Sequence, residues 1–521
     1  MPLDYEGLLP IQALALATLA ESEAPRGLIG ALAVGAGKTL VAMLAPLVTG
    51  NEGKAVLLLP ASLLDQWRTD VAKWTPIYPC EPPIAVSYGK LSHPRHREIL
   101  DRLRPNLVIM DEAHFLANPQ STRTKRIIRY FQAYPDTRAV VLSGSITGAS
   151  ILDYAHLAEL ALRDGSPLPR EIADLERWSA CLDASTTATA NDYLSIWPLV
   201  RAFRYSDPGP MKRDHTRGYQ GDRRIMAQTA YRARLRSTPG VVASAEGSIG
   251  ASLYLRRIGI AIPGVDSALS TLSDKWELPD GTELASALEY AAYSRSISVG
   301  YYYRREPGPP EYADARREWS RILRYALASG VYEGADSPGL LTARVERGDA
   351  SQRLIRALRR YREVMHLAPP VSETVWLPGA DMVVLRGILE LLKDAPPTVV
   401  WYTSRAMGAL LDVILKTYGQ GTKPPRQPEH VACSALVHGK GWNAQMWARN
   451  LFIEPFSSAV RWEQTLGRTH RTGQTAGAVE ALINLGYPPL SAALATASKR
   501  AGYIERTTGA RQKISIGQWL V

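Results

Sequence analysis

The sequence predicts an α/β chain in which two domains built on parallel β-sheets flank a mainly helical insertion. Three observations carry that reading. Over residues 1–155, short apolar runs alternate with helical stretches, the pattern of a parallel sheet covered on both faces. The alternation returns over 371–500. Between them, 156–370 has little strand signal and is rich in arginine and aromatic residues. Residues 501–521 read as a basic tail that packs on one domain or stays mobile. A chain of 521 residues is also too long for one core.

The elements follow in order. Residues 28–34 form an apolar strand, then a glycine-rich turn, then a helix over 40–47. Residues 55–59 are a short apolar run ending at Pro60, which reads as a buried parallel strand. A helical pattern covers 63–74. Strands at 107–110 and 139–142 run into Asp111 and Ser143. In the middle region, 201–236 holds ten Arg or Lys against three Asp. Tyr301-Tyr302-Tyr303-Arg304-Arg305 precedes a proline-rich stretch, and 319–327 and 354–364 read as helices with basic faces. Further on, 398–402 is a strand, 407–418 an amphipathic helix and 450–453 a strand running into Glu454-Pro455. No internal repeat or low-complexity tract interrupts the chain.

Composition narrows the function classes. Hydrophobic content of 46% and charged content of 21% are those of an ordinary globular protein. A net charge of +11 points to a polyanionic partner, nucleic acid first, although a basic surface alone gives the same number. Cys80, Cys181 and Cys433 have neither metal-ligand nor redox spacing, so a reducing, cytoplasmic setting is expected. The apolar stretch 11–20 is too short to span a bilayer and is followed by Glu21 and Glu23, so no membrane partner is expected.

Three groups of residues carry chemistry. Gly35-Ala36-Gly37-Lys38-Thr39 lies between a predicted strand and a predicted helix, the context that a phosphate-binding loop requires. There, backbone N–H groups and the helix N-terminus approach phosphates, Lys38 reaches the β- and γ-phosphates, and Thr39 ligates magnesium. Leu32 stands where the strict pattern has its first Gly. Asp111 and Glu112 are adjacent carboxylates at a strand tip and point to opposite sides. Asp111 is therefore a candidate for holding magnesium and Glu112 for orienting and deprotonating a water. Gln464, Arg468 and Arg471 fall at i, i+4 and i+7, one face of a helix that could aim guanidinium groups into a cleft. Taken alone, that run reads more readily as a solvated basic helix face. His438 and His470 have no second ligand at metal-site spacing and are expected to be hydrogen-bonding residues. In the middle region, basic residues interleaved with Tyr and Trp could track a phosphate backbone and stack on bases, or the aromatics could be core.

Together these motifs resemble a superfamily-two helicase, most like the Swi/Snf-type ATPases. Leu9-Pro10-Ile11-Gln12 resembles the segment whose Gln reads adenine. Residues 57–74 are similar to motif Ia, which lies along a nucleic-acid strand, and Ser87-Tyr88-Gly89-Lys90-Leu91 resembles motif Ib. Asp111-Glu112-Ala113-His114 matches the DEAH box, and Asn118-Pro119-Gln120-Ser121 continues the pattern. Ser143-Gly144-Ser145 stands where the family has Ser-Gly-Thr-Pro. Gly439-Lys440-Gly441-Trp442-Asn443 resembles motif V, and 464–474, with its Gly473-Gln474 ending, matches motif VI. Pro239-Gly240-Val241-Val242-Ala243 and the Tyr-rich stretch resemble helicases encoded by bacteriophages. The resemblance implies two RecA-like domains and a monomeric motor using ATP and Mg2+. It makes Arg468 and Arg471 the arginine fingers, gives Gln464 a positioning role, and has Ser143 and Ser145 couple nucleotide state to domain closure. DNA is the implied partner, RNA a less favoured one. An ATP-gated nucleic-acid clamp with little turnover remains an alternative.

Overall fold

The computed structural model describes residues 7–23, 26–32, 36–51, 53–144, 150–183, 186–206, 219–243, 251–275, 277–282, 284, 287–304, 309–332, 338–367, 373–439, 441–471 and 473–520. Ala33 to Gly35, Ser145, Ile146, Arg305 and Lys440 lie outside the described residues.

Two parallel sheets dominate. The first contains β1 (Leu28–Ala31), β2 (Ala55–Leu59), β3 (Ile84–Ser87), β4 (Leu107–Asp111), β5 (Arg138–Ser143) and β6 (Val241–Ala243), in the order β3-β2-β4-β5-β1-β6. Strand β7 (Ser252–Ile258) belongs to the second sheet, and β8 (Tyr301–Arg304) pairs antiparallel with β9 (Glu373–Trp376). The second sheet adds β10 (Thr398–Tyr402), β11 (Lys416–Tyr418), β12 (Val431–Ser434), β13 (Arg449–Phe452), β14 (Ala478–Asn484) and β15 (Gln518–Leu520), in the order β11-β12-β10-β13-β14-β7-β15. Every pairing within the two large sheets is parallel.

Burial follows the two-residue period of a strand covered on both faces. In β2, Val56 and Leu58 belong to one core, shared with Tyr88, Leu91, Ile127 and Tyr130, whereas Leu57 and Leu59 belong to another, with the helices Pro10–Glu21, Lys38–Val48 and Leu64–Trp74. In β10, Val400 and Tyr402 face one core and Val399 and Trp401 the other. Trp401, Trp447 and Trp462 are among the largest fully buried side chains of the second unit. Each indole N–H finds an acceptor: Asn450 Oδ1 at 3.0 Å, Glu429 O at 2.9 Å and Phe456 O at 2.8 Å. The apolar burial is thus not offset by an orphaned donor.

The chain does not divide where the sequence pattern placed its boundaries. The stretch 156–370 is not one insertion. The helices Ala155–Leu162, Ile172–Leu182, Ala190–Ser206 and Tyr219–Ser237 complete a core of the first sheet, and β6 is that sheet's edge strand. Strand β7 then enters the second sheet between β14 and β15. Tyr301 and Tyr302 are core residues rather than a stacking platform. Within this stretch the helices Pro310–Ser329, Pro338–Glu346 and Gln352–Glu363 share a small core of their own, around Trp319, Leu341 and Leu354. The helix expected over 407–418 ends early: it spans Arg405–Leu411, and the chain turns into β11. The tail is structural too, since β15 pairs with β7.

The helix Pro488–Thr508 joins the two units. Leu490, Leu494 and Ile504 lie in cores of the second sheet. Near its far end the Tyr503 hydroxyl donates to Asp183 Oδ1 at 3.0 Å, and Arg506 Nε donates to Gln228 Oε1 at 2.7 Å. Asp183 is buried, with Ser179 Oγ and the Ile151 N–H as its other donors. No helix of the described residues is long and apolar enough to cross a membrane. Replacing Tyr503 by Phe should cost about 1–3 kcal/mol, because a buried carboxylate loses a donor and gains no water. Urea unfolding of Tyr503→Phe against wild type measures this, and an unchanged midpoint would refute it.

Candidate active site

Strands β1 and β4, separated by β5, both end at one side of the first sheet, where ligands of parallel sheets bind. After β1 the chain turns through Gly37, whose φ of 73° suits glycine, into the helix Lys38–Val48. A Cβ at Gly37 would lie 2.0 Å from Gln12 Nε2, so a side chain there would have to displace the Gln12 amide. No side chain caps this helix, which leaves N–H groups of its first turn pointing into the cleft. Gln12 is buried, accepts from the Leu9 N–H at 2.9 Å, and donates to the Ala36 and Gly37 carbonyls at 3.2 and 3.3 Å. Its amide is therefore engaged in holding the loop.

Glu112 has a φ of 51°, a left-handed conformation that costs a non-glycine residue about 1 kcal/mol or more. It is held there from three sides. Its N–H donates to Asp111 Oδ1 at 2.9 Å. Lys38 Nζ lies 3.7 Å from Glu112 Oε1, and His114 Nδ1 lies 3.3 Å from Oε2. Gln464 Nε2, from the second unit, reaches His114 Nε2 at 3.2 Å. An amide nitrogen only donates, so His114 Nε2 accepts and the ring proton sits on Nδ1, toward Glu112. The order Gln464, His114, Glu112 is thus a line of polar contacts between the two units, a hydrogen bond from Gln464 to His114 followed by a close His114–Glu112 approach.

The two carboxylates differ in their tendency to hold a proton. Burial, then the neighbouring Glu112 charge, pushes Asp111 up to about 7 against the pull of Lys38. Burial acts on Glu112 in the same sense. Lys38, the His114 contact and the Arg468 charge outweigh it and hold Glu112 below the ordinary carboxylate range. Glu112 is the member that keeps its charge, because the cations touch it and not Asp111.

The second unit supplies the opposite wall. Ser458 caps the helix Ala459–Thr469 by accepting from the Arg461 N–H. Trp462 and Leu466 turn into the second core. Gln464 and Arg468, on another face, are buried toward the first unit. Arg468 donates through Nε to Gln464 O at 3.1 Å and through Nη1 to Trp442 O at 3.2 Å. Burial, and then Arg471, lowers it to about 10, against the pull of Glu112.

Arg471 is not on that helix, contrary to the spacing argument. The helix ends at Thr469 because the His470 ring is drawn elsewhere. His470 Nε2 donates to Ala251 O at 2.8 Å, and His470 Nδ1 accepts from Lys513 Nζ at 3.4 Å. Lys513 is buried, with its N–H on Glu463 Oε2 at 2.7 Å. Arg471 nevertheless lines the same cleft as Lys38, and its Nε is a buried donor with no partner among the described residues.

The cleft has a volume of about 620 Å³. Gln12, Gly37, Lys38, Thr39, Asp111 and Glu112 line one side, and Arg468 and Arg471 the other. Of the predicted site residues that are described, only Gln464, which reaches the cleft through His114, and Ala36 are not in its lining; Gly35 lies outside the described residues. Several lining residues were not singled out from sequence. The helix Leu64–Trp74, expected to lie along nucleic acid, presents Gln66, Asp70 and Lys73 to this cleft. Gly441, at a φ of 78°, brings its loop so close that a Cβ would meet Leu63 Cδ2 at 2.8 Å. Gln66, Asp70 and Lys73 fall at i, i+4 and i+7 on one helix face, but what that face meets is set by contact between units. The scans against protein-family models and curated proteins return no match. Among the described residues no three His, Cys, Asp or Glu side chains are grouped to hold a metal ion. His438 Nε2 meets Gly419 O at 3.1 Å, as a hydrogen-bonding histidine would.

His470 carries a pH prediction. Burial, then Lys513, lowers it to about 4, against the pull of its bond to Ala251 O. An unfolded histidine titrates near about 6.5. Below that pH the unfolded chain takes up a proton that the folded one refuses. Stability is therefore full above about pH 6.5 and falls toward about pH 4, by on the order of 1 kcal/mol per pH unit. Urea midpoints measured between about pH 7 and about pH 4.5 should fall less steeply for His470→Gln than for wild type. Parallel curves would rule the assignment out.

Proposed function

We propose that the protein is an ATP hydrolase that couples ATP turnover to movement along DNA, as a Swi/Snf-like, superfamily-two motor of the kind encoded by bacteriophages. One observation supports this most: Lys38 and Glu112 from one unit and Arg468 and Arg471 from the other converge on a single cleft. Two parallel sheets, one on each side of that cleft, suit a pair of RecA-like domains.

The residues fit a magnesium–nucleotide complex. The Gly37 turn admits backbone close to a phosphate, and buried cations face it from both sides. Two adjacent buried carboxylates with one lysine beside them are short of positive charge, which a divalent cation would relieve. Thr39 and Asp111 would hold Mg2+, whose charge offsets that of the phosphate oxygens. Lys38 would bind the terminal phosphates. Glu112, ionised and steadied by His114, would accept a proton from the attacking water. Arg468 and Arg471 would stabilise charge on the transferring phosphoryl group. Because nucleotide contacts both units, its affinity differs between open and closed clefts, and that difference converts turnover into motion.

Phosphate release should rise on adding DNA. Glu112→Gln should lower turnover about 10²–10⁴-fold, and Arg468→Ala about 10³–10⁵-fold, with nucleotide still bound. The decisive titration compares single-stranded, duplex and forked DNA with RNA. No turnover with any of them, despite nucleotide-dependent DNA retention, would replace the motor with an ATP-gated clamp. Stronger stimulation by RNA would make it an RNA enzyme.

A further inference from the structure

We infer that the three-helix cluster inserted between β8 and β9 carries a second contact surface, built to hold the phosphate backbone of duplex DNA. Its helices have their own core, and it joins the rest of the second unit through the two-stranded β8–β9 ribbon, where Arg304 pairs with Glu373. It is remote in the chain from all residues lining the cleft.

Two faces of this cluster form one surface. On the helix Pro310–Ser329, Glu318, Arg321 and Tyr325 fall at i, i+3 and i+7; on the helix Gln352–Glu363, Arg353, Arg356 and Arg360 do the same. Arg360 pairs with Glu318 at 2.8 Å, which sets the two faces side by side. At the other end the Ser351 N–H donates to the Tyr332 hydroxyl at 3.1 Å. Moving from Glu318 to Tyr332 therefore runs opposite to moving from Arg360 to Ser351, and the helices are antiparallel. Tyr325, between the first two, lies level with Arg353 and Arg356, between the second two.

The groups on this surface are free to act outward. Arg321, Arg353 and Arg356 are exposed, and no carboxylate among the described residues pairs with them. The other arginines of the second helix, apart from Arg359, are held internally: Arg360 by Glu318 and Arg362 by Glu346. Tyr325 is 76% exposed, although a tyrosine usually covers its ring. Guanidinium groups and a tyrosine hydroxyl are the donors that contact phosphate oxygens in protein–DNA complexes. Duplex DNA carries one charge per about 1.7 Å of axis, a density that a compact row of unpaired arginines matches.

This rests on the motor reading above but is tested apart from it. In the full-length protein, Arg353→Glu with Arg356→Glu, and separately Tyr325→Ala, are compared with wild type for duplex binding by anisotropy over a salt series. Basal phosphate release without DNA reports the intact cleft and fold. The double charge reversal should weaken duplex binding at least about 10-fold at low salt and flatten the slope of log K against log salt by about 2. Tyr325→Ala should weaken binding with little change of slope. Unchanged affinity and slope in the double variant, with wild type binding DNA, overturns this surface alone. Loss confined to RNA overturns the DNA assignment. If wild type binds no nucleic acid yet hydrolyses ATP, the nucleic-acid half of the motor reading falls as well.

Discussion

The cleft depends on keeping side chains ionised away from water. Lys38, Glu112 and Arg468 are each mostly buried, and burial of a lone charge is among the costliest events in folding. The cost is tolerable because each ion is set against the next. Lys38 and the His114 N–H oppose Glu112, and the Glu112 charge in turn supports Arg468 across the cleft. The arrangement is unbalanced where the Asp111 carboxylate sits, with a backbone N–H as its hydrogen-bond donor, and where Arg471 Nε has no partner among the described residues. Those are the places at which a metal ion and an anionic ligand would contribute most. The strained Glu112 backbone belongs to the same economy of contacts: three polar partners fix a conformation that the chain would otherwise leave.

The two units meet in contacts of two different strengths. Across the cleft, the direct polar contacts are the Gln464–His114 bond and an exposed pair between Lys423 and Asp65, and an exposed pair contributes at most about 1 kcal/mol. At the helix Pro488–Thr508 the contact is buried, with Tyr503 on Asp183 inside a packed core. Local opening follows the weaker contacts first. The cleft is thus the part of the interface that can part at little cost while the helix keeps the units together. The Lys513–His470–Glu463 group lies behind the arginine helix, so the last residues of the chain brace the wall from which Arg468 projects.

Much of this was legible where sequence and structure are linked over short range. Strands β2 and β10 match the apolar runs residue for residue, because a parallel strand buried on both faces leaves an unbroken hydrophobic signature. Lys38, Asp111 and Glu112 follow strands β1 and β4 as their sequence context suggested, and Arg468 lines the same cleft, which its own helical spacing did not foretell. What was not legible is set by partners distant in sequence. Strands β6 and β15 are three residues each, too short to show a period, and are strands only because β1 and β7 offer an edge. Arg471 leaves the helix because His470 bonds to Ala251 and Lys513, neither of which a local pattern can see. The same limit hid the role of the helix Leu64–Trp74, whose Asp70 faces Arg471 only after the second unit has docked.

Arginine content misleads for a related reason. The net charge of +11 suggests a surface covered in cations available to a polyanion. Many of these guanidinium groups face inward instead. Arg126 is buried and donates to the Leu91 and His93 carbonyls, and Arg138 donates to the Arg26, Leu19 and Ser22 carbonyls. Arg163 donates to Pro135 and Thr137, and Arg449 to Leu391. Even within 201–236, the densest basic run, Arg224 closes on three carbonyls at Ala180, Cys181 and Thr186, and Arg234 lies over the Trp178 ring. All of these but Arg234 satisfy backbone acceptors, a task for which a planar fork of five donors is better suited than lysine. Arginines bound in this way add to the formal charge but lend little to a phosphate backbone, since their donors are spent. Any attraction to nucleic acid must therefore come from the arginines whose donors point outward, and where those stand in a row is decided by helix packing and not by composition.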